Sequence, residues 1–198
     1  MKSDLRIAVT KRMIKDGMLE LLKTKPLSKI KVSELCERSG VNRATFYRHY
    51  ETLQDTFQEL EIDFIKQLPL PHQPPKDIEE AHHNMESVCT YIYDHADVVR
   101  LLFLNKADTE MIHGMKEFYQ EFLELHKEKM PVTQMDEDTT QIIIALFGGG
   151  CQSLIRKWIL DDIHKTPGEI ATILCNIIRW PIFSDLFSKD SAEELPQL

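Results

Sequence analysis

Residues 33–50 read Ser33-Glu34-Leu35-Cys36-Glu37-Arg38-Ser39-Gly40-Val41-Asn42-Arg43-Ala44-Thr45-Phe46-Tyr47-Arg48-His49-Tyr50, and this stretch decides the fold. It holds two helix starts and one helix stop. Ser33 offers a side-chain acceptor to the free amides that open a short helix, Gly40 can take the positive φ that closes one, and Asn42 can cap a second. The interval between the caps leaves room for about two turns. Leu35 and Val41 supply apolar side chains to pin the pair together as a helix-turn-helix. In the second helix Phe46 and Tyr50 stand four apart, suited to anchoring inward. Arg43, Thr45, Tyr47, Arg48 and His49 are all hydrogen-bond donors, and three of them are or can become cations. Such a face suits a polyanion. The major groove of duplex DNA admits one α-helix, whose first residues reach base edges while neighbouring hydroxyls, amides and cations hold phosphate oxygens. A short surface helix with solvated charges is the plain alternative.

Ile30, Val32, Glu34-Leu35, Ser39-Gly40-Val41 and, above all, Thr45-Phe46-Tyr47-Arg48-His49-Tyr50 resemble the DNA-binding domain of the TetR family of transcriptional regulators. The resemblance runs over residues 10 to about 60. It implies that the second helix of the motif enters the major groove and presents Arg43, Thr45, Tyr47 and His49. With Ser33, Asn42, Ala44 and Arg48 these make up the candidate DNA-binding set. The family commonly carries a lysine at the start of the following helix, where it grips a phosphate. Leu53 stands there in this chain, so one phosphate contact is expected to be missing.

A chain of 198 residues suits one small domain and one medium one. The net charge of −8 is unevenly spread: residues 1–53 hold 12 Lys and Arg against 6 Asp and Glu, whereas residues 54–198 hold 12 against 26. Phosphate attraction is local and screened over about 10 Å. The basic N-terminal quarter is therefore the part expected to meet nucleic acid. Cys36, Cys89, Cys151 and Cys175 are scattered, without a Cys-x-x-Cys pair, which points away from a disulfide framework or a zinc site and toward a reducing, cytoplasmic setting. The N-terminus lacks the apolar core of a secretory signal. The longest apolar run, Ile142 to Cys151, is about half of what a bilayer requires, so no membrane partner is expected.

In chain order, Met13, Ile14, Met18, Leu21 and Leu22 recur at helical spacing, so a first helix runs from about Asp4 or Thr10 to Thr24 and stops before Pro26. Lys23, Lys25, Lys29 and Lys31 crowd the next connection, as phosphate followers or as a solvated loop. Thr52 and Asp55 form a capping box that opens a fourth helix striped by Phe57, Leu60, Phe64 and Leu68. Four prolines in residues 69–75 end it. Residues 1–53 are thus read as the DNA-binding domain, 54–68 as a connector, and 69–198 as a ligand-binding and dimerisation domain. The rest has only helical stripes: Ile78, Met85, Val88, Cys89 and Ile92; Val98, Val99, Leu102 and Phe103; Met111, Met115, Phe118, Phe122 and Leu125. The fold class is all-α.

Two last helices differ from the others. Ile142 to Phe147 is apolar on every face and must be covered on several sides, with Leu154, Trp158 and Ile159 extending it. Gly148-Gly149-Gly150 sits in its middle, which fits a second backbone approaching closely. Thr166-Pro167-Gly168-Glu169 opens the final helix, striped by Ile170, Ile173, Leu174, Ile177 and Ile178. Two such helices from each of two chains would form a four-helix bundle. Resemblance to the family implies the same homodimer, through helices near 138–162 and 167–180. Core packing in a monomer is the alternative.

Competing chemistry is weak. His82 and Glu86 are one turn apart but lack a visible third metal ligand, and Cys89 sits on an apolar stripe; no metal or cofactor is assigned. There is no phosphate loop and no nucleophile elbow, so the chain does not read as an enzyme. Met111, Met115, Phe118, Phe122 and Trp158 suit either plain core or a cavity wall, and the residues that touch a small-molecule effector stay unassigned. The expected function is a homodimeric, ligand-responsive repressor that binds palindromic double-stranded DNA. The alternative is a co-regulator of the same fold that binds a partner protein and a small ligand instead of DNA. The Gly148-Gly149-Gly150, Lys157-Trp158 and Thr166-Pro167 pattern resembles the Gram-positive branch of the family, where such co-activators occur.

Overall fold

A computed structural model describes residues 2–71, 75–105, 137–161 and 163–179, and its regular elements there are all helical. In chain order these are α1 (Lys2–Leu22), a 3-10 turn (Leu27–Lys29), α2 (Val32–Ser39), α3 (Arg43–His49), α4 (Leu53–Gln67), α5 (Ile78–Asp94), α6 (Ala96–Leu104), α7 (Glu137–Leu160) and α8 (Pro167–Arg179). The all-α expectation holds. The helix expected through Met111, Met115, Phe118, Phe122 and Leu125 lies outside the described residues, as does part of the proline-rich stretch. The chain divides into two compact units, Met1–Gln67 with Asp97–Met111, and Leu68–Ala96 with Ile112–Leu198.

In the first unit, Ile14, Met18 and Leu22 recur every four residues of α1 and are buried. Met13, one residue off that stripe, stays 42% exposed. The helix starts at Lys2, ahead of the expected start, and Pro26 keeps the chain from continuing it. α1 packs against α2 and α4. Lys15 of α1 donates to both Glu59 and Asp63 of α4, and Lys11 donates to Glu59 at 2.6 Å. Thr52 and Asp55 make the expected capping box: Thr52 N–H donates to Asp55 Oδ2 at 2.7 Å and Asp55 N–H to Thr52 Oγ1 at 3.2 Å. Phe57 and Phe64 of α4 are buried, and so are Val99, Leu102 and Phe103 of α6.

In the second unit α5 packs along α8. Asp77 caps α5 by accepting from Glu80 N–H at 2.8 Å. Cys89 and Ile92 of α5, Cys151, Ile155, Trp158 and Ile159 of α7, and Ile170, Ala171 and Leu174 of α8 are all buried. The joint between α7 and α8 is built from Trp158, whose Nε1–H donates to the Lys165 carbonyl at 3.0 Å while its ring stacks on Tyr93 at 5.6 Å. Thr166 then caps α8 as expected: Glu169 N–H donates to Thr166 Oγ1 at 3.3 Å, and Thr166 N–H donates to Glu169 Oε2 at 2.9 Å. The Lys165 ammonium and the Thr166 amide hold the Glu169 carboxyl down at about 2.

Within a single chain the last two helices keep apolar residues exposed. Ile142 and Leu146 are each 68% exposed, so α7 is not covered on every face, and a side chain built at Gly148, Gly149 or Gly150 would meet no described atom within 4 Å. The apolar stripe of α8 is also split. Ile170 and Leu174 turn inward, whereas Ile173 and Ile177 are 38% and 47% exposed.

Candidate nucleic-acid interface

The turn between α2 and α3 is built as the sequence implies. Gly40 adopts φ 68° and ψ 22°, a left-handed conformation that costs a side chain of any size. Its N–H donates to the Glu37 carbonyl and that of Val41 to the Cys36 carbonyl, which satisfies two carbonyls that the helix end leaves open. Asn42 then opens α3: its Oδ1 accepts from Thr45 N–H at 2.8 Å. Leu35 is fully buried, and Val41 is half-buried.

α3 is strongly two-sided. Phe46 and Tyr50 face inward at 0% and 4% exposure, with Phe46 packed edge-on against Tyr47 at 5.3 Å. Arg43, Ala44 and Arg48 are exposed, Tyr47 is 57% exposed, and Thr45 and His49 are half-buried. All six candidate positions of α3 therefore reach its outer surface to some degree. Neither Arg43 nor Arg48 forms an ion pair with a described residue, which leaves both guanidinium groups available to an anion. Burial of Phe46 and Tyr50 fixes the helix, and the fixed helix aims the donors.

Ser33 does not cap α2. The helix opens two residues earlier than a Ser33 cap would place it, with extended Lys31 at the cap position and Val32 as its first residue. Glu34 reaches back and accepts from Lys31 N–H at 2.9 Å, so the carboxylate does the capping that was expected of the serine. Ser33 sits exposed in the first turn of α2, and Leu53 is the half-buried first residue of α4.

The lysine-rich connection is partly neutralised within the chain. Lys23 pairs with Glu20 at 2.6 Å and Lys25 with Glu34 at 2.7 Å. The Lys25 hydrogen bond, helped by the Lys31 amide, holds the Glu34 carboxyl below the usual carboxylate range. Two of the four lysines are thus taken up by glutamates, Glu20 at the end of α1 and Glu34 in the first turn of α2.

Elsewhere, His82 hydrogen-bonds Thr172 Oγ1 at 2.9 Å and lies 3.9 Å from Glu86. Among the described residues no three His, Cys, Asp or Glu side chains converge as a metal site. Burial pushes the Cys89 thiol up to about 12, which suits core packing. No described helix is long and apolar enough to cross a membrane.

Residues 79–179 match the family TetR_C_8, a transcriptional regulator C-terminal region, and this match covers half of the chain. The chain belongs to the TetR family of transcriptional regulators. A curated relative, the uncharacterized HTH-type transcriptional regulator YxbF of Bacillus subtilis (strain 168), is 19% identical over 182 residues, 89% of this chain. The chain spans about half of that relative's length, 46%. Among solved structures, the dihydroxyacetone kinase operon activator DhaS shares the fold of this regulator with a TM-score of 0.58 at 12% identity, covering 85% of this chain and 93% of its own.

Proposed function

We propose that this regulator reads DNA directly, as a homodimer whose two α3 helices occupy the half-sites of a pseudo-palindromic operator, and that an effector bound in the second unit releases it as a repressor. The observation that carries the reading is the two-sided α3: an inner face locked by Phe46 and Tyr50, and an outer face on which Arg43, Tyr47 and Arg48 are exposed. The half-sites are expected about one helical turn, ~34 Å, apart. Exposed Ile142 and Leu146 on α7 and Ile173 and Ile177 on α8 support a second copy as the missing cover. The effector can shift binding only by its differential affinity for the two states of the dimer. The Gly148-Gly149-Gly150 pattern and the Bacillus relative support the Gram-positive branch of the family.

A second reading is favoured by two observations. The fold neighbour DhaS is by name an operon activator, and Leu53 stands where a phosphate-gripping lysine is usual in the family. A co-regulator that binds a partner protein would suit both.

Selection of random duplex DNA by the purified regulator, followed by titration of the enriched sequence at several salt concentrations, tests the choice. Enrichment of a palindrome, with affinity falling steeply as salt rises, supports direct reading by a dimer. Weak binding without enrichment would sink it and favour the co-regulator.

A further inference from the structure

We infer that Asn105, just beyond α6, is a positioning residue for the helix-turn-helix: it holds the turn from which α2 and α3 are hung. The inference rests on the proposal that α3 reads DNA. The 3-10 turn Leu27–Lys29 has an exposed problem at its start, because its first amide has no acceptor within the turn, and Pro26 at the cap position supplies no side-chain hydrogen bond. Asn105 supplies that acceptor from 78 residues away, its Oδ1 accepting from Leu27 N–H at 2.7 Å.

The asparagine is itself held. Its Nδ2 donates to the Leu101 carbonyl at 2.8 Å, and its main-chain N–H donates to the Leu102 carbonyl at 3.1 Å. These contacts also settle the orientation of the amide, since only oxygen can accept from Leu27 and only nitrogen can donate to Leu101. No other side chain of similar length carries both a donor and an acceptor in this arrangement; aspartate keeps only the acceptor.

The turn so held leads directly into the motif. Ile30 follows it and is buried, and Lys31 then caps α2. Pro26 has φ −67°, so the far side of the turn is stiff as well. Releasing Leu27 would therefore loosen the entry to α2. Asn105 belongs to a segment, beginning at Asp97, that is flanked in sequence on both sides by chain of the second unit.

The test uses the full chain and compares Asn105→Ala with Asn105→Asp. Amide hydrogen exchange at Leu27 reports the bond, and titration of the duplex selected by the wild-type chain reports the position of α3. For Asn105→Ala, exchange at Leu27 should rise and duplex affinity should fall, each by about 5- to 10-fold, the size of one ordinary hydrogen bond. Asn105→Asp, which keeps the acceptor but loses the donor to Leu101, should fall between wild type and the alanine variant in both. Unchanged exchange at Leu27 in the alanine variant would show that Asn105 does not hold the turn. Faster exchange with unchanged affinity would show that the bond is structural only, and loss in the aspartate variant equal to that in alanine would show that the acceptor is irrelevant; either overturns the inference. If the alanine variant does not fold, Asn105→Ser replaces it, because its hydroxyl can bond Leu101 but stops short of Leu27. Failure of the wild-type chain to enrich any duplex overturns the DNA reading and the positioning role with it, an outcome distinct from failure at the Leu27 amide.

Discussion

A Cβ built on Gly17 of α1 would stand 3.1 Å from Ser39 Cβ and 3.2 Å from Ser39 N of α2. The two helices touch backbone to backbone at this point. Rotating the Ser39 side chain gives no relief, because the crowded atoms are its Cβ and main chain, so only a shift of α2 makes room. Gly17→Ala would gain up to ~1 kcal/mol of helix propensity, but crowding a packed core costs about 1 to 3 kcal/mol. The expected net result is a loss of about 1 kcal/mol in urea denaturation, with α2 displaced from α1. A more stable variant would show that α2 moves away freely.

On α3 the prediction separates binding from folding. Arg43→Ala and Tyr47→Ala remove exposed groups, so each should leave the denaturation midpoint nearly unchanged while weakening specific duplex binding by roughly 1 to 3 kcal/mol. Lys29→Ala in the preceding turn is the comparison. If it contacts only phosphate, it should weaken binding to all sequences alike and flatten the salt dependence. Full operator affinity in both α3 variants would remove that helix from the interface.

Much of this was legible in the sequence because caps are local. Gly40, Asn42, Thr52 with Asp55, and Thr166 with Glu169 each act within a few residues, so residue type and spacing suffice to place them. Ser33 misled because Glu34, three residues after Lys31, competes for the same role and wins with a charged acceptor. The ion pairs from α1 to α4 and the Asn105 contact to Leu27 join residues 44 to 78 positions apart, a distance over which spacing carries no signal. What covers the outer faces of α7 and α8 was not legible for a related reason: an apolar side chain reads the same whether its own chain or another one covers it.

The bridge between α1 and α4 has a pH signature. Burial opposes ionisation of Glu59, but hydrogen bonds from Lys11 and Lys15 outweigh it and hold the carboxyl below its ordinary 4.5. A carboxyl depressed by folding stabilises the fold above its unfolded pKa, and that contribution disappears as pH falls through the lower, folded value. Burial likewise opposes the Lys15 ammonium, while Asp63 and Glu59 hold its pKa above the ordinary 10.5, so its share persists through neutral pH and is lost only in strong alkali. Glu59→Gln should therefore lower the urea midpoint at pH 7, and the gap to wild type should close as pH falls below about 4.5. A gap constant from pH 7 to pH 3 would show that the ion pairs contribute nothing and that the glutamine only disturbs packing.

The exposed apolar residues of the last two helices make the final prediction. Leu146 at 68% and Ile177 at 47% exposure do little for a lone chain, so charging them should cost the fold of one protomer no more than about 0.5 kcal/mol. In a dimer closed by these helices the same change would bury an unpaired charge, which a stable interface does not tolerate. Leu146→Glu combined with Ile177→Glu should therefore sediment as a monomer while keeping its helical circular dichroism. Because a two-fold operator requires two linked α3 helices, this variant should also lose palindrome binding far more than half-site binding. A variant that remains dimeric would place the interface on another surface and leave these isoleucines and leucines to a different partner.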